Sequence, residues 1–301
     1  MSHAAVHLRL LGMALLWGAS WPAGRTFAQA MPPLSGSAWR FTLAALLLTA
    51  WMGWQHRQAQ SRPRLTRKQW LGLALAGAIG VAGYAVFFMM ALQRVEASRA
   101  AVVVTTNPVF TTLLAAWLFK ERFNARIALG MVCALIGAAT VLTHGAPWRL
   151  FTAGVGVGEW MLIGCIATWV GYTLIARGWL AGIDSLTATA ISSVFGTALL
   201  WAVALAVDGA PVATGSLAAL SAIGWVSMVF LAVGSTVLAY AWYFRGVAEL
   251  GAGTAASYIS LVPVFGVASS LVVLGESLDA SLFFGGALAV AGVVLTNRAR
   301  R

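Results

Sequence analysis

A chain of 301 residues that is 60% apolar and 9% charged, with a mean hydropathy of +0.86, carries more apolar surface than a soluble core can hide. The composition excludes a soluble globular enzyme. The net charge of +11 does not point to nucleic acid, because the basic residues fall mainly in short connectors between apolar runs, the pattern of membrane topology.

Runs of about 20 apolar residues recur along the chain, each able to span about 30 Å of hydrocarbon at about 1.5 Å rise per residue. They predict helices near 8–28, 35–55, 70–92, 98–119, 125–143, 156–177, 184–207, 219–244, 252–274 and 280–297. The expected fold is an all-α polytopic membrane protein with ten crossings. The first run reaches Phe27, longer than the apolar region of a signal peptide, and is read as a membrane helix. Breaks fall at Pro32-Pro33, at the polar run His56 to Lys68, at Gly145-Ala146-Pro147 and at Asp208-Gly209-Ala210-Pro211. Cys133 and Cys165 each lie inside an apolar run and are read as small core residues.

A cytoplasmic N-terminus puts Arg9, Arg57, Arg62, Arg64, Arg67, Lys68, Lys120, Arg122, Arg126, Arg177, Arg245, Arg298, Arg300 and Arg301 inside. Arg25, Arg40, Arg94, Arg99 and Arg149 are then outside, a bias of fourteen against five that makes both termini cytoplasmic.

The chain also repeats itself. Asn107-Pro108-Val109-Phe110 returns as Val262-Pro263-Val264-Phe265, and the same offset of 155 matches Glu121 with Glu276, Gly130 with Gly285, Ala134 with Ala289 and Gly137 with Gly292. An offset of 152 matches Gly12, Trp17 and Arg25 with Gly164, Trp169 and Arg177. The expected division is a first five-helix repeat at 1–144 and a second at 145–301. Five is odd, so the second copy crosses in the opposite sense and the halves are inverted repeats. The matched turns Lys120-Glu121-Arg122 and Gly275-Glu276-Ser277 should then lie on opposite faces, the basic one inside.

With this repeat, Trp17-Gly18, Arg40-Phe41 at the start of helix two, the two prolines and the paired glutamates, the chain resembles the drug/metabolite transporter superfamily, in its EamA-type ten-helix branch. Within that branch the Trp-rich helices and Tyr84, Phe88 and Trp169 are similar to an inner-membrane exporter of aromatic amino acids. The resemblance implies export of small metabolites across a bacterial-type inner membrane and a central cavity lined by helices 1, 3, 4, 6, 8 and 9. Where it implies an aromatic residue on helix four, the chain has Asn107.

Proline inside a helix removes one donor and clashes with the preceding turn, so Pro108 and Pro263 should free the carbonyls of Val104 and Ile259. Either neighbouring hydroxyls satisfy these groups or they face a wet cavity. Both prolines are candidate hinges. Trp39, Trp51, Trp54, Trp70, Trp148 and Trp160 lie near helix ends and read as interfacial anchors. Trp17, Trp21, Tyr84, Phe88, Trp169, Tyr240 and Trp242 lie deeper, and with Asn107 and Tyr258 they form the candidate substrate site: rings for an apolar side chain, polar groups for the other end. Gly77, Gly80, Gly83, Gly130, Gly137, Gly285 and Gly292 are assigned to close helix approach. Arg25 and Arg177 are read as lipid head-group anchors or as ligands of a substrate carboxylate.

All eight acids fall at or near helix ends, which argues against a proton relay at an intramembrane carboxylate. His3, His7, His56 and His144 lie in termini or connectors, and no catalytic or metal-binding pattern accompanies them, so no enzyme, cofactor or metal is expected. The expected function is export of small neutral or zwitterionic metabolites, aromatic amino acids first, by alternating access. The competing readings are another metabolite class on the same fold, such as threonine-type amino acids, purines or sugars, and a membrane-embedded enzyme. The expected partners are the solute and the bilayer.

Overall fold

The computed structural model describes residues 3–58, 65–120, 123–152 and 154–299, and these are helical with short connections and no strands. Two long helices come first, α1 (His3–Ala30) and α2 (Pro33–Gln58). Eight more are long and apolar enough to cross a membrane: α3 (Arg67–Leu92), α4 (Ala97–Phe119), α5 (Ala125–Leu142), α6 (Val157–Trp179), α7 (Ser185–Val207), α8 (Ala222–Leu250), α9 (Gly253–Leu274) and α10 (Ser281–Ala299). The first two have lower hydropathy because His7, Arg9 and Arg25 interrupt α1 and Arg40 interrupts α2.

Local chemistry accounts for where helices begin. Thr66 and Gln69 form a capping box ahead of α3, and the side chains of Asn124, Asp184 and Ser221 accept the third backbone N–H of α5, α7 and α8. The repeated turns also match in backbone. Helix α4 ends on Lys120 (φ 53) and α9 on Gly275 (φ 65), both left-handed, so the two copies leave their helices in the same conformation. Glu121, Arg122, Arg62, Arg64, Arg300 and Arg301 lie outside the described residues.

Four helices that reach the bundle interior depart from simple α geometry. α4 stops at Val104 and restarts at Asn107, and α9 stops at Ile259 and restarts at Val262. In each copy the proline is the second residue of the new segment, where its missing N–H costs little. The Thr105 and Thr106 hydroxyls donate to the carbonyls of Ala101 and Val103 at 2.7 Å, tightening the first break. α3 widens into a π-helix over Gly77–Gly83, and α8 does so over Phe230–Leu238, features that hydropathy does not reveal.

The closest helix pair is α5 with α10, and its seam is reciprocal. A Cβ at Gly137 would meet the Gly285 carbonyl oxygen at 2.5 Å, and one at Gly292 would meet that of Gly130 at 2.5 Å. Glycines spaced by seven on each helix thus bring the two backbones together.

At the bundle end where α1 finishes and α4 begins, a polar latch ties four elements. The Ala97 and Ser98 N–H groups donate to the two Glu276 carboxylate oxygens at 2.8 and 2.9 Å. Arg25 donates to the Val95 carbonyl, and its Nε lies 3.8 Å from Glu276. Arg99 joins Glu96 (2.7 Å), the Val141 carbonyl (2.5 Å), Ser281 (3.2 Å) and Asp279. Asp279 lies between α9 and α10. The Ser281 hydroxyl, the Leu282 N–H and Arg99 hold its carboxyl down at about 2. Arg25 is therefore engaged by protein groups rather than lipid, and Arg177 lies over the Phe119 ring at 4.4 Å.

Candidate functional site

The broken turns of α4 and α9 and the π-helical stretches of α3 and α8 all reach one cavity of about 370 Å³, within the usual size of small-molecule sites. It extends from Arg40 and Phe88 toward Thr189 and Asn297, at the bundle end opposite the latch.

Seven of the nine expected binding residues line it: Trp17, Trp21, Tyr84, Phe88, Asn107, Trp169 and Tyr240; so do Pro108 and Pro263. The rings form a connected wall. Trp21 lies 5.2 Å from Phe88, Phe88 stacks on Tyr84 at 6.0 Å and 22°, and Tyr84 meets Trp169 at 5.7 Å. One turn earlier on α1 than Trp21, Trp17 stands edge-on to Tyr240 at 5.4 Å, and its indole N–H donates to the Ser235 carbonyl at 2.9 Å. Gly80 gives the wall its depth, because any side chain there would overlap the Tyr172 ring.

Trp242 and Tyr258 stand elsewhere. Trp242 follows Tyr240 by two residues, about 200° around the helix, and packs into the space above Gly12. Helix α9 presents Ala256, Ile259, Ser260 and Pro263 to the cavity, and Tyr258 lies off that face with its hydroxyl 2.6 Å from His7 Nδ1. Depth along the span suggested Trp242 and nearness to Pro263 suggested Tyr258; rotation about the helix axis removes them.

The structure adds lining that sequence reasoning missed, from helices α2, α7 and α10: Phe41, Thr189, Ser192, Ser193 and Asn297. It also corrects the position of Arg40. Counted among the outer-face charges, Arg40 is instead buried in the cavity wall at 9% exposure, its guanidinium carbon 4.8 Å from the Phe41 ring and 5.7 Å from that of Phe88. An ionisable residue within an apolar helix was the available signal. The polar atoms Arg40 Nε, Asn107 Oδ1 and Ser192 Oγ are buried without a hydrogen-bond partner. Among the described residues no carboxylate lines the cavity, and no cluster of three potential metal ligands occurs. The arrangement can surround a flat apolar group and supply hydrogen bonds to a polar one.

Known proteins share this architecture. One solved crystal structure matches with a TM-score of 0.63 over 98% of this chain and 99% of its own, at 21% identity, which establishes likeness of fold. An uncharacterized transporter of Bacillus subtilis, YyaM, is 26% identical over 98% of this chain and 94% of its own length. A probable terminal-alkyne amino-acid exporter of Streptantibioticus cattleyicolor is 27% identical over 94% of this chain and 90% of its own. The model of the EamA-like transporter family matches twice, at residues 5–143 and 156–298, one match on each side of the Gly145–Gly158 connector. A membrane transporter fold used twice in one chain, closed around a cavity of rings, places this protein in the EamA-like transporter family.

Proposed function

We propose that this transporter exports small neutral or zwitterionic metabolites, with aromatic amino acids as its main solutes, across a bacterial-type inner membrane. The observation that carries the reading is the wall Trp21–Phe88–Tyr84–Trp169 beside unpartnered polar atoms at Arg40 and Asn107. An aromatic side chain would stack on the rings, each contact contributing about 0.5–1.5 kcal/mol beyond burial, and the polar end would take up the free hydrogen-bonding groups. Two halves, 1–144 and 145–301, act as inverted repeats of five crossings each, ten in all, with both termini in the cytoplasm. In that orientation the latched end faces outward and the cavity extends toward the cytoplasm. Pro108 and Pro263 are the hinges at which the half-helices tilt as the two ends open in turn. The amino-acid exporter among the relatives is in keeping with this class of solute.

Counterflow in proteoliposomes tests the reading. Vesicles are loaded with unlabelled tryptophan, phenylalanine, threonine or adenine, and labelled uptake is followed without a pH gradient. Uptake driven by the aromatic amino acids and weakened in Trp169→Ala supports it. Uptake driven by adenine or threonine alone replaces the aromatic solute with a second class on the same fold, which the hydroxyls of Thr189, Ser192 and Ser193 along one wall would suit. A requirement for an imposed proton gradient would overturn facilitated exchange.

A further inference from the structure

Among the described residues Arg40 is the single charged one that lines the cavity, and no acid among them answers its charge. It is more than nine-tenths buried, its Nε has no partner, and no carboxylate stands opposite it. Two aromatic faces, Phe41 at 4.8 Å and Phe88 at 5.7 Å, stand against its guanidinium. Cation–π contact holds the group in place but satisfies none of its five N–H donors, and a buried cation without a counter-ion is strongly disfavoured. At the latch, by contrast, Arg25 and Arg99 each have an acid within ion-pair distance.

We infer that Arg40 binds the carboxylate of the transported solute, so that the substrate class is carboxylates, amino acids above all, rather than any neutral metabolite that fits. A guanidinium presents two parallel N–H donors that match the two oxygens of a carboxylate, a geometry that a lysine ammonium does not reproduce. Phe88 connects the two parts of the site: its ring is next to the guanidinium and belongs to the aromatic wall, so a carboxylate on Arg40 directs the attached side chain along Tyr84 and Trp169. The acceptor Asn107 Oδ1 is left for an ammonium group. The positive charge also accounts for selection, because a cationic amine without a carboxylate would face uncompensated repulsion in the same cavity.

The inference rests on the cavity being the solute site and is tested independently of which side chain the solute carries. Labelled phenylalanine, threonine and adenine are each offered to wild-type protein in proteoliposomes, with competition by each amino acid, its amide and its decarboxylated amine. The expected result is that whichever amino acid moves is displaced by free acids about 30-fold or more better than by the matching amide or amine. Arg40→Gln should bring acid and amide to within about threefold of each other, while Arg40→Lys should restore only part of the gap. If threonine moves and phenylalanine does not, with the same preference for the acid, the carboxylate site stands and the aromatic solute falls. Adenine as the only transported solute, or amides competing as well as acids in wild type, overturns the inference. So does an Arg40→Gln protein that loses acid and amide equally, which would mark a merely structural arginine. The wild-type competition series needs no variant and decides the question if Arg40→Gln does not fold.

Discussion

Trp17 stands edge-on to Tyr240 with ring centroids 5.4 Å apart, and its counterpart in the second half of the chain, Trp169, meets Tyr84 at 5.7 Å. Each tyrosine follows a π-helical stretch, Tyr84 directly after Gly77–Gly83 and Tyr240 two residues beyond the end of Phe230–Leu238. Each half thus contributes a tryptophan and a tyrosine to the lining of one cavity, each tyrosine standing just after a widened turn.

If these rings hold the solute, Trp169→Ala raises the half-saturating concentration for an aromatic amino acid about tenfold, from loss of one stacking contact and its buried area. Trp17→Phe retains a ring but removes the bond to Ser235, so it lowers stability by about 1 kcal/mol with a smaller effect on affinity. Counterflow concentration curves and thermal unfolding in detergent separate the two effects.

Trp242→Ala and Tyr258→Phe serve as controls at the same depth outside the cavity. Tyr258→Phe loses the contact with His7 and about 1 kcal/mol of stability, with solute affinity unchanged within about twofold. Trp242→Ala opens a space beside Gly12 and costs about 3–5 kcal/mol. A shift in selectivity by either variant would contradict the placement of the cavity.

The seam between α5 and α10 has no room for side chains at its glycines. Gly137→Val forces two backbones apart and is expected to destabilise by about 1–3 kcal/mol, measured as lowered thermal stability in detergent. The same change at Gly53, where no atom lies within 4 Å, should have little effect beyond its helix propensity.

The latch should resist acid. With its carboxyl held at about 2 instead of 3.8, Asp279 stabilises the folded state most fully above about pH 3.8 and loses that contribution as pH falls through about 2. Labelling of Ser98→Cys by a membrane-impermeant reagent, taken relative to the unfolded protein at the same pH to remove the thiol's own titration, is therefore expected to stay constant from pH 8 to 5. Glu276→Ala, which frees the Ala97 and Ser98 N–H groups, should raise that labelling at every pH.

Legibility followed the distance over which each signal acts. The prolines announced both helix breaks because the missing N–H and the ring clash are properties of the residue itself. The aromatic content of the wall was readable from its depth in the spans, but depth also admitted Trp242, and nearness to Pro263 admitted Tyr258. The π-helical turns alter the helical phase without a distinctive residue, so no periodicity argument could assign directions across them. Arg40 was misplaced because charge counting takes an arginine near a helix end as solvated, whereas α2 enters the bundle beside Phe88 and carries it into the wall.

By itself the sequence determined that this is a duplicated, helical membrane protein with paired proline breaks, since hydropathy, length and backbone chemistry are local or periodic quantities. Only the tertiary structure decided which rings face one another, that Glu276 caps a helix 179 residues away, and that Arg40 is left facing the cavity without a counter-charge. Those outcomes depend on helix rotation and on long-range packing, where a few degrees of phase separate a cavity-lining side chain from one in the lipid or the core.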